Sequence, residues 1–240
     1  MQVFLETDRL ALRRFTEADG DNLYHLHNDS DVMRFLNGGK PTPREVIEHE
    51  TLPRFLGYDE RFAGYGYWAA IEKSTGAFVG WFAFHPLEGG DPDDVALGYR
   101  LHKAAWGKGY GTEGARALIH KGFAELGVRR VWAQTMAVNT GSRRVMEKVG
   151  LAHVRTFHEE WDDPLPGTEH GEVEYALTKA DCEQQGEQSA ASRLEIPVSK
   201  IERIHDGRVR APRVTGQLHA EIADVGGADA LSDEDDAPYQ

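Results

Sequence analysis

The chain has 240 residues, 40% of them hydrophobic, a formal net charge of -13 and one cysteine, Cys182. This composition supports a core of ordinary domain size. It excludes a general binder of the nucleic-acid backbone and an intrachain disulfide, in keeping with a reducing, cytoplasmic setting. Residues 1–8 lack a basic segment with an apolar run behind it, and nothing approaches the roughly 18 apolar residues of a membrane span, so neither signal peptide nor membrane contact is expected.

Leu10, Leu12 and Phe15 give a first strand over Arg9 to Arg14. Thr16 then reads as a helix cap, with Asp19 in a capping-box place and Leu23 and Leu26 on the apolar side. A short helix over Asp31 to Leu36 ends at Gly38-Gly39. Thr42-Pro43-Arg44-Glu45 starts another, with proline at the first helical position; Pro53 is expected to kink or divide it, and Gly57 to Gly66 to form a loop. Tyr67–Ile71 and Ala77–Phe84 form a hairpin through Gly76. His85 to Asp94 reads as a surface loop, and Val95 to Leu101 as the next strand.

Then comes Trp106-Gly107-Lys108-Gly109-Tyr110-Gly111-Thr112-Glu113, followed by a helical pattern to Leu126 with Ala115, Leu118, Ile119 and Phe123 on one face. Alternate glycines at a helix start let backbone N–H groups approach an anion with no Cβ in the way. The spacing matches neither Gly-x-x-x-x-Gly-Lys-Ser/Thr nor Gly-x-Gly-x-x-Gly, so the loop supports neither a nucleotide hydrolase nor a dinucleotide oxidoreductase. A strand over Arg129 to Met136, Asn139, a helix over Gly141 to Val149, a strand over Leu151 to His158, a loop, and a strand over Glu172 to Leu177 complete the pattern. Residues 183–240 hold 12 acidic and 6 basic side chains and one aromatic residue, Tyr239. They read as an acidic, weakly ordered tail behind a domain of residues 1–182. The element order implies an α/β fold: a mixed sheet with helices on its faces.

Two stretches carry a resemblance. Leu97-Gly98-Tyr99-Arg100-Leu101 with Trp106–Gly114, and Asn139-Thr140-Gly141-Ser142-Arg143-Arg144-Val145-Met146-Glu147-Lys148-Val149-Gly150-Leu151, resemble the GCN5-related N-acetyltransferases. Within them, the branch of the ribosomal-protein N-terminal acetyltransferases is the most similar, over about residues 5–180. The resemblance implies a mostly antiparallel sheet whose fourth and fifth strands splay to admit acetyl-CoA. It implies that Gly107, Lys108, Gly109, Tyr110, Gly111 and Thr112 hold the pyrophosphate. Trp106 stands where the family commonly has Gln or Arg. Leu97, Tyr99 and Leu101 would pair with the pantetheine arm, Asn139 would contact it, Ser142 would lie near the sulfur, and Arg143 would approach the coenzyme phosphates.

The implied chemistry is direct transfer to a primary amine, on a small molecule or a protein N-terminus. The backbone at Tyr99 or Arg100 would meet the oxyanion, and Ser142 would protonate the thiolate. No metal is expected, because the histidines share no ligand spacing. Ala96 stands where many relatives carry a catalytic Glu. Asp94 is the leading substitute base; Glu88, Asp93, Glu72 and His85 are weaker ones. The missing carboxylate also leaves open a non-catalytic acyl-CoA-binding module. For the oligomeric state, monomer and homodimer both stay open.

Overall fold

In the computed structural model the described residues are 3–61, 64–87, 90–161 and 163–194. In chain order the elements are β1 (Val3–Glu6), β2 (Leu10–Arg14), α1 (Gly20–His27), α2 (Ser30–Asn37), α3 (Arg44–Val46), a π turn (Ile47–Thr51) and α4 (Leu52–Arg61). There follow β3 (Gly66–Glu72), β4 (Phe78–Pro86), β5 (Asp94–Leu101), α5 (Tyr110–Glu125), β6 (Arg130–Met136), α6 (Thr140–Lys148), β7 (Ala152–Phe157), β8 (Glu172–Thr178) and α7 (Lys179–Leu194). The strands make one eight-stranded sheet in the order β1-β2-β3-β4-β5-β6-β8-β7. Every neighbouring pair is antiparallel except β5 and β6. Helices cover both faces, as the element order implies.

Side-chain alternation sorts the core into two layers. Phe82, Phe84, Leu97, Tyr99, Leu101, Val131, Ala133 and Tyr175 lie on the back face, in one cluster with Leu118 and Ile119 of α5 and Val145 and Met146 of α6. Two glycines let α5 sit directly on the aromatic rings. A Cβ on Gly114 would stand 2.3 Å from Phe82 Cζ, and one on Gly122 2.6 Å from Phe84 Cζ. Ala69, Trp81 and Ala83 lie on the front face with Leu23, Leu26, Ile47, Leu52 and Phe55. That second cluster holds no residue of β6, β7 or β8. The front of those strands carries Trp132, Gln134, Glu172, Glu174 and Arg155 and packs outside that cluster.

Several boundaries differ from the sequence reading. β1 was not foreseen, because it is a four-residue edge strand whose side chains are at most half-buried. Phe4 holds it by stacking on Trp68, ring centroids 3.7 Å apart. The extra strand makes β5 and β6 the pair expected to splay. Gly57 lies inside α4 and not in a loop. Pro53 removes one N–H bond, and the π turn just before it takes up the altered bonding without ending the helical run. β4 continues through His85 and Pro86, which pair with Ala96 and Val95. α7 runs past residue 182 to Leu194; residues 195–240, most of the expected tail, lie outside the described residues.

Candidate active site

The only parallel contact in the sheet is short. β5 and β6 pair at Asp94 with Arg130, Val95 with Val131 and Ala96 with Trp132, and no further. Beyond that point the strands part into a gap. The side on which each β5 residue bonds follows from its ends. The Asp93 carbonyl accepts from the N–H groups of Arg129 (2.8 Å) and Arg130 (3.0 Å), toward β6. His102 N–H donates to Val79 O (2.9 Å), toward β4. Because bonding groups alternate along a strand, odd-numbered residues of β5 address β6. Leu97, Tyr99 and Leu101 thus turn N–H and C=O into the gap, whereas Arg100 turns its own toward β4. The Trp106 indole N–H donates to the Leu101 carbonyl (2.9 Å), which leaves Leu97 and Tyr99 facing the gap.

The glycine loop closes one end. Gly107 and Gly109 have φ of 70° and 84°, conformations that strain any other residue. Gly109 is the N-cap of the 16-residue α5, and no side chain caps that helix. The first-turn N–H groups of Tyr110, Gly111 and Thr112 have no intrahelical acceptor, and the helix dipole adds positive potential there. Lys108 is exposed beside them, while the Tyr110 ring is buried and its hydroxyl bonds Glu72. The loop is anchored from the β1–β2 connection. Arg9 donates to the Lys108 carbonyl (2.9 Å) and to Glu113 (2.7 Å), and Thr7 Oγ donates to Glu113 (2.6 Å). Burial alone would raise the Glu113 carboxyl, but these bonds outweigh it and hold the group below its usual range.

Across the gap, Asn139 caps α6 by accepting from Ser142 N–H (3.2 Å), and its amide donates to Thr135 Oγ (3.1 Å). The Ser142 hydroxyl lies 3.3 Å from the Tyr99 hydroxyl, which also donates to the Ser142 carbonyl at 3.3 Å. Asn139, Ser142 and Tyr99 are all fully buried, and burial pushes the Tyr99 phenol well above its ordinary value. The fold therefore brings Tyr99, Asn139 and Ser142 together on the back side of the gap. Arg143 turns away from it: its guanidinium donates to Tyr175 OH (3.2 Å) and Ala137 O (3.0 Å).

The front side of the gap is polar. Glu174 accepts from Arg130 (2.6 Å) and Arg155 (2.8 Å). Burial raises its carboxyl, and the two guanidiniums overcome that and keep it ionised. Among the described residues Glu172 has no such partner; burial, then the Glu159 carboxylate, pushes it up to about 7. Sequence reading missed Glu172, although Glu172-Val173-Glu174 places two carboxylates on one face of a strand. Lys40 pairs with Asp163 and Leu165 lies against Gly38, so the connections α2–α3 and β7–β8 meet. Asp94 is not brought to the gap's open length. It lies where β5 and β6 are still paired, and Arg130 donates to both its oxygens at 3.0 Å. Asp93 is paired with Arg129 at 2.8 Å. Glu72 accepts from Thr75 at 2.6 Å and from Tyr110. Glu88 lies outside the described residues.

An acetyltransferase (GNAT) domain family matches residues 9–152. The FsC-acetyl coenzyme A-N(2)-transacetylase of Aspergillus fumigatus is 35% identical over 185 residues, covering 74% of this chain and 77% of that protein. The uncharacterized protein YkkB of Bacillus subtilis is 32% identical, covering 67% of this chain and 91% of its own length. Among solved structures, RimL, a ribosomal L7/L12 alpha-N-protein acetyltransferase in complex with coenzyme A, is similar with a TM-score of 0.61 at 18% identity, covering 74% of this chain and 98% of that one. The aminoglycoside acetyltransferase AAC(6')-Ib in complex with coenzyme A gives 0.58 at 21% identity, covering 73% and 98%. At these identities the two structures show a shared fold.

Proposed function

The chain belongs to the GNAT acetyltransferase family and is an acetyl-CoA-dependent N-acetyltransferase; from that premise we propose that it acetylates a primary amine on a small molecule, by direct transfer in a ternary complex. The relative named as an N(2)-transacetylase supports the small-molecule acceptor, since it aligns over most of both chains at 35% identity. The residues at the gap fit coenzyme A. An uncapped helix start behind two positive-φ glycines suits a pyrophosphate, and a strand with free bonding groups suits the amides of a pantetheine arm. In this reading Gly107, Lys108, Gly109, Tyr110, Gly111 and Thr112 hold the pyrophosphate, Trp106 fixes the loop's entry, and Leu97, Tyr99 and Asn139 hold the arm. Arg143 supports the β6–α6 turn.

The observation that carries the reading is the gap itself, with the Tyr99–Ser142 pair on its back side. The amine's lone pair attacks the thioester carbonyl carbon, and charge gathers on the oxygen. Tyr99 N–H faces the gap and is the donor to that oxygen. As the C–S bond breaks, the thiolate takes a proton from the Ser142 hydroxyl, and Tyr99 OH supports the serine. Much of the acceleration comes from holding both reactants in line.

The test is thiol release and product mass with acetyl-CoA and a panel of small amines and N-terminal peptides. The expected result is equimolar thiol and acetylated small amine, with peptides poor. Coenzyme A binding without turnover on any acceptor would instead mark a binding module. The variant Gly109→Trp with Gly111→Trp should lose coenzyme A binding while remaining folded by circular dichroism. Full activity in that variant would sink the pyrophosphate assignment.

A further inference from the structure

On the front face, the row of paired residues at the closed end of the gap reads His85, Ala96, Trp132. His85 thus stands beside the one β5 position where a carboxylate is missing, with only a methyl side chain between it and the gap. A pantetheine arm that starts at the glycine loop runs back along β5 toward this end. With its thioester met by the Tyr99 N–H, the stretch of β5 from there to Ala96 is three residues, roughly 10 Å at about 3.3 Å per residue, and the acceptor amine enters between the two. The imidazole is held in place. Its ring lies 4.7 Å from the Tyr58 ring and 5.1 Å from the Tyr67 ring, and its Nδ1 is 3.0 Å from the Pro86 carbonyl. A carbonyl accepts only, so Nδ1 carries the proton and Nε2 carries the lone pair. Among the described residues no partner for Nε2 is recorded, whereas Asp93, Asp94 and Glu72 are each bound to a neighbour.

We propose that His85 is the general base of the reaction, its Nε2 taking the proton of the acceptor's ammonium at the apex of the gap. This rests on the acetyl-transfer reading above. The ammonium gives one proton to Nε2, which passes it to water. The freed lone pair forms the C–N bond, and the carbonyl electron pair moves to oxygen. When the intermediate collapses, the C–S bond breaks, the nitrogen gives its surplus proton to Nε2, and the thiolate takes one from Ser142; water restores the serine, and the hydroxide that leaves is neutralised by the proton on Nε2. The sum is one proton released. The base works from the front of the sheet and the acid from the back. Burial, opposed by the Pro86 bond and assisted by the Arg54 charge, keeps the imidazole neutral below its ordinary titration range. The other titratable groups against it are the phenols of Tyr58 and Tyr67.

His85→Gln is the test, read with the small amine that the wild-type chain acetylates best. The turnover number should fall about 100-fold or more, with coenzyme A affinity within twofold of the wild type. The acid limb of the wild-type pH profile should disappear, and the residual rate should climb with pH as free amine accumulates. A turnover number within threefold of the wild type, with the acid limb intact, would overturn the proposal. A wild-type chain inert toward every amine would instead remove the reading beneath it. Imidazole nitrogen NMR on the wild-type chain gives a second readout that needs no variant. The expected tautomer at pH 7.5 is Nδ1–H; an Nε2–H tautomer or an imidazolium would overturn the proposal.

Discussion

Single residues respond to pH in opposite ways. Glu172 is raised to about 7, so the folded state prefers it protonated. The stability this gives is fully present below the unfolded value near 4.5 and is lost as pH rises through about 7. Glu172→Gln should therefore stabilise the fold at pH 8 by about 1 kcal/mol, discounted because the side chain is only half-buried, and should change nothing at pH 4. Urea melts at the two pH values check this; equal effects at both would contradict it. His27 shows the reverse. Burial, then Arg100 and Arg54, lower it to about 2, and as a neutral ring it accepts from Arg100 at 2.9 Å. Its contribution is present above the ordinary value of 6.5 and falls away at lower pH. At this scale the sequence named His85 only among the weaker candidates for the base. Ala96 was visible as a missing carboxylate, but what stands beside it depends on β4–β5 register, which sets His85 opposite it and is a contact between distant parts of the chain. The nearest charged neighbour in sequence, Asp94, lies where β5 and β6 are paired and is bound by Arg130, which alternation alone does not reveal.

Among the elements, α5 presents the uncapped N–H groups beside the glycine loop, and two features position it. Gly114 and Gly122 let it approach the Phe82 and Phe84 rings, and Glu113 ties its first turn to Thr7 and Arg9. Glu113→Ala should leave the fold intact at a cost of about 1–2 kcal/mol for the lost charged bonds. It should weaken coenzyme A binding about tenfold, because the loop must then be ordered on binding. Isothermal titration against the melting curve separates the two; unchanged affinity would show that Arg9 and Glu113 do not position the loop. The glycine loop and the Asn139 turn were legible because each is written in consecutive residues. The Arg9–Glu113 anchor was not, since its partners are 104 positions apart. Glycines that seat a helix on aromatic rings look, in sequence, like any helix-weakening glycine. The π turn before Pro53 was hidden for a similar reason: a proline signals a break, and only packing decides whether the helix absorbs it.

The described residues form one sheet opened at one seam. β5 and β6 separate because their pairing stops at Ala96 and Trp132, and the Gly107–Thr112 loop lies past the far end of β5. The order of elements and the mixed sheet followed from hydrophobic periodicity and turn residues. The seam did not; it entered only through the resemblance carried by two motifs. The proposed role of the seam is to receive the cosubstrate, and a crystal structure with coenzyme A is the test. The expected result is the pyrophosphate on the N–H groups of residues 109–112, the pantetheine arm bonded to Leu97 or Tyr99 between β5 and β6, and the sulfur within hydrogen-bond reach of Ser142 Oγ. Coenzyme A bound elsewhere, with β5 and β6 closed on each other, would contradict it.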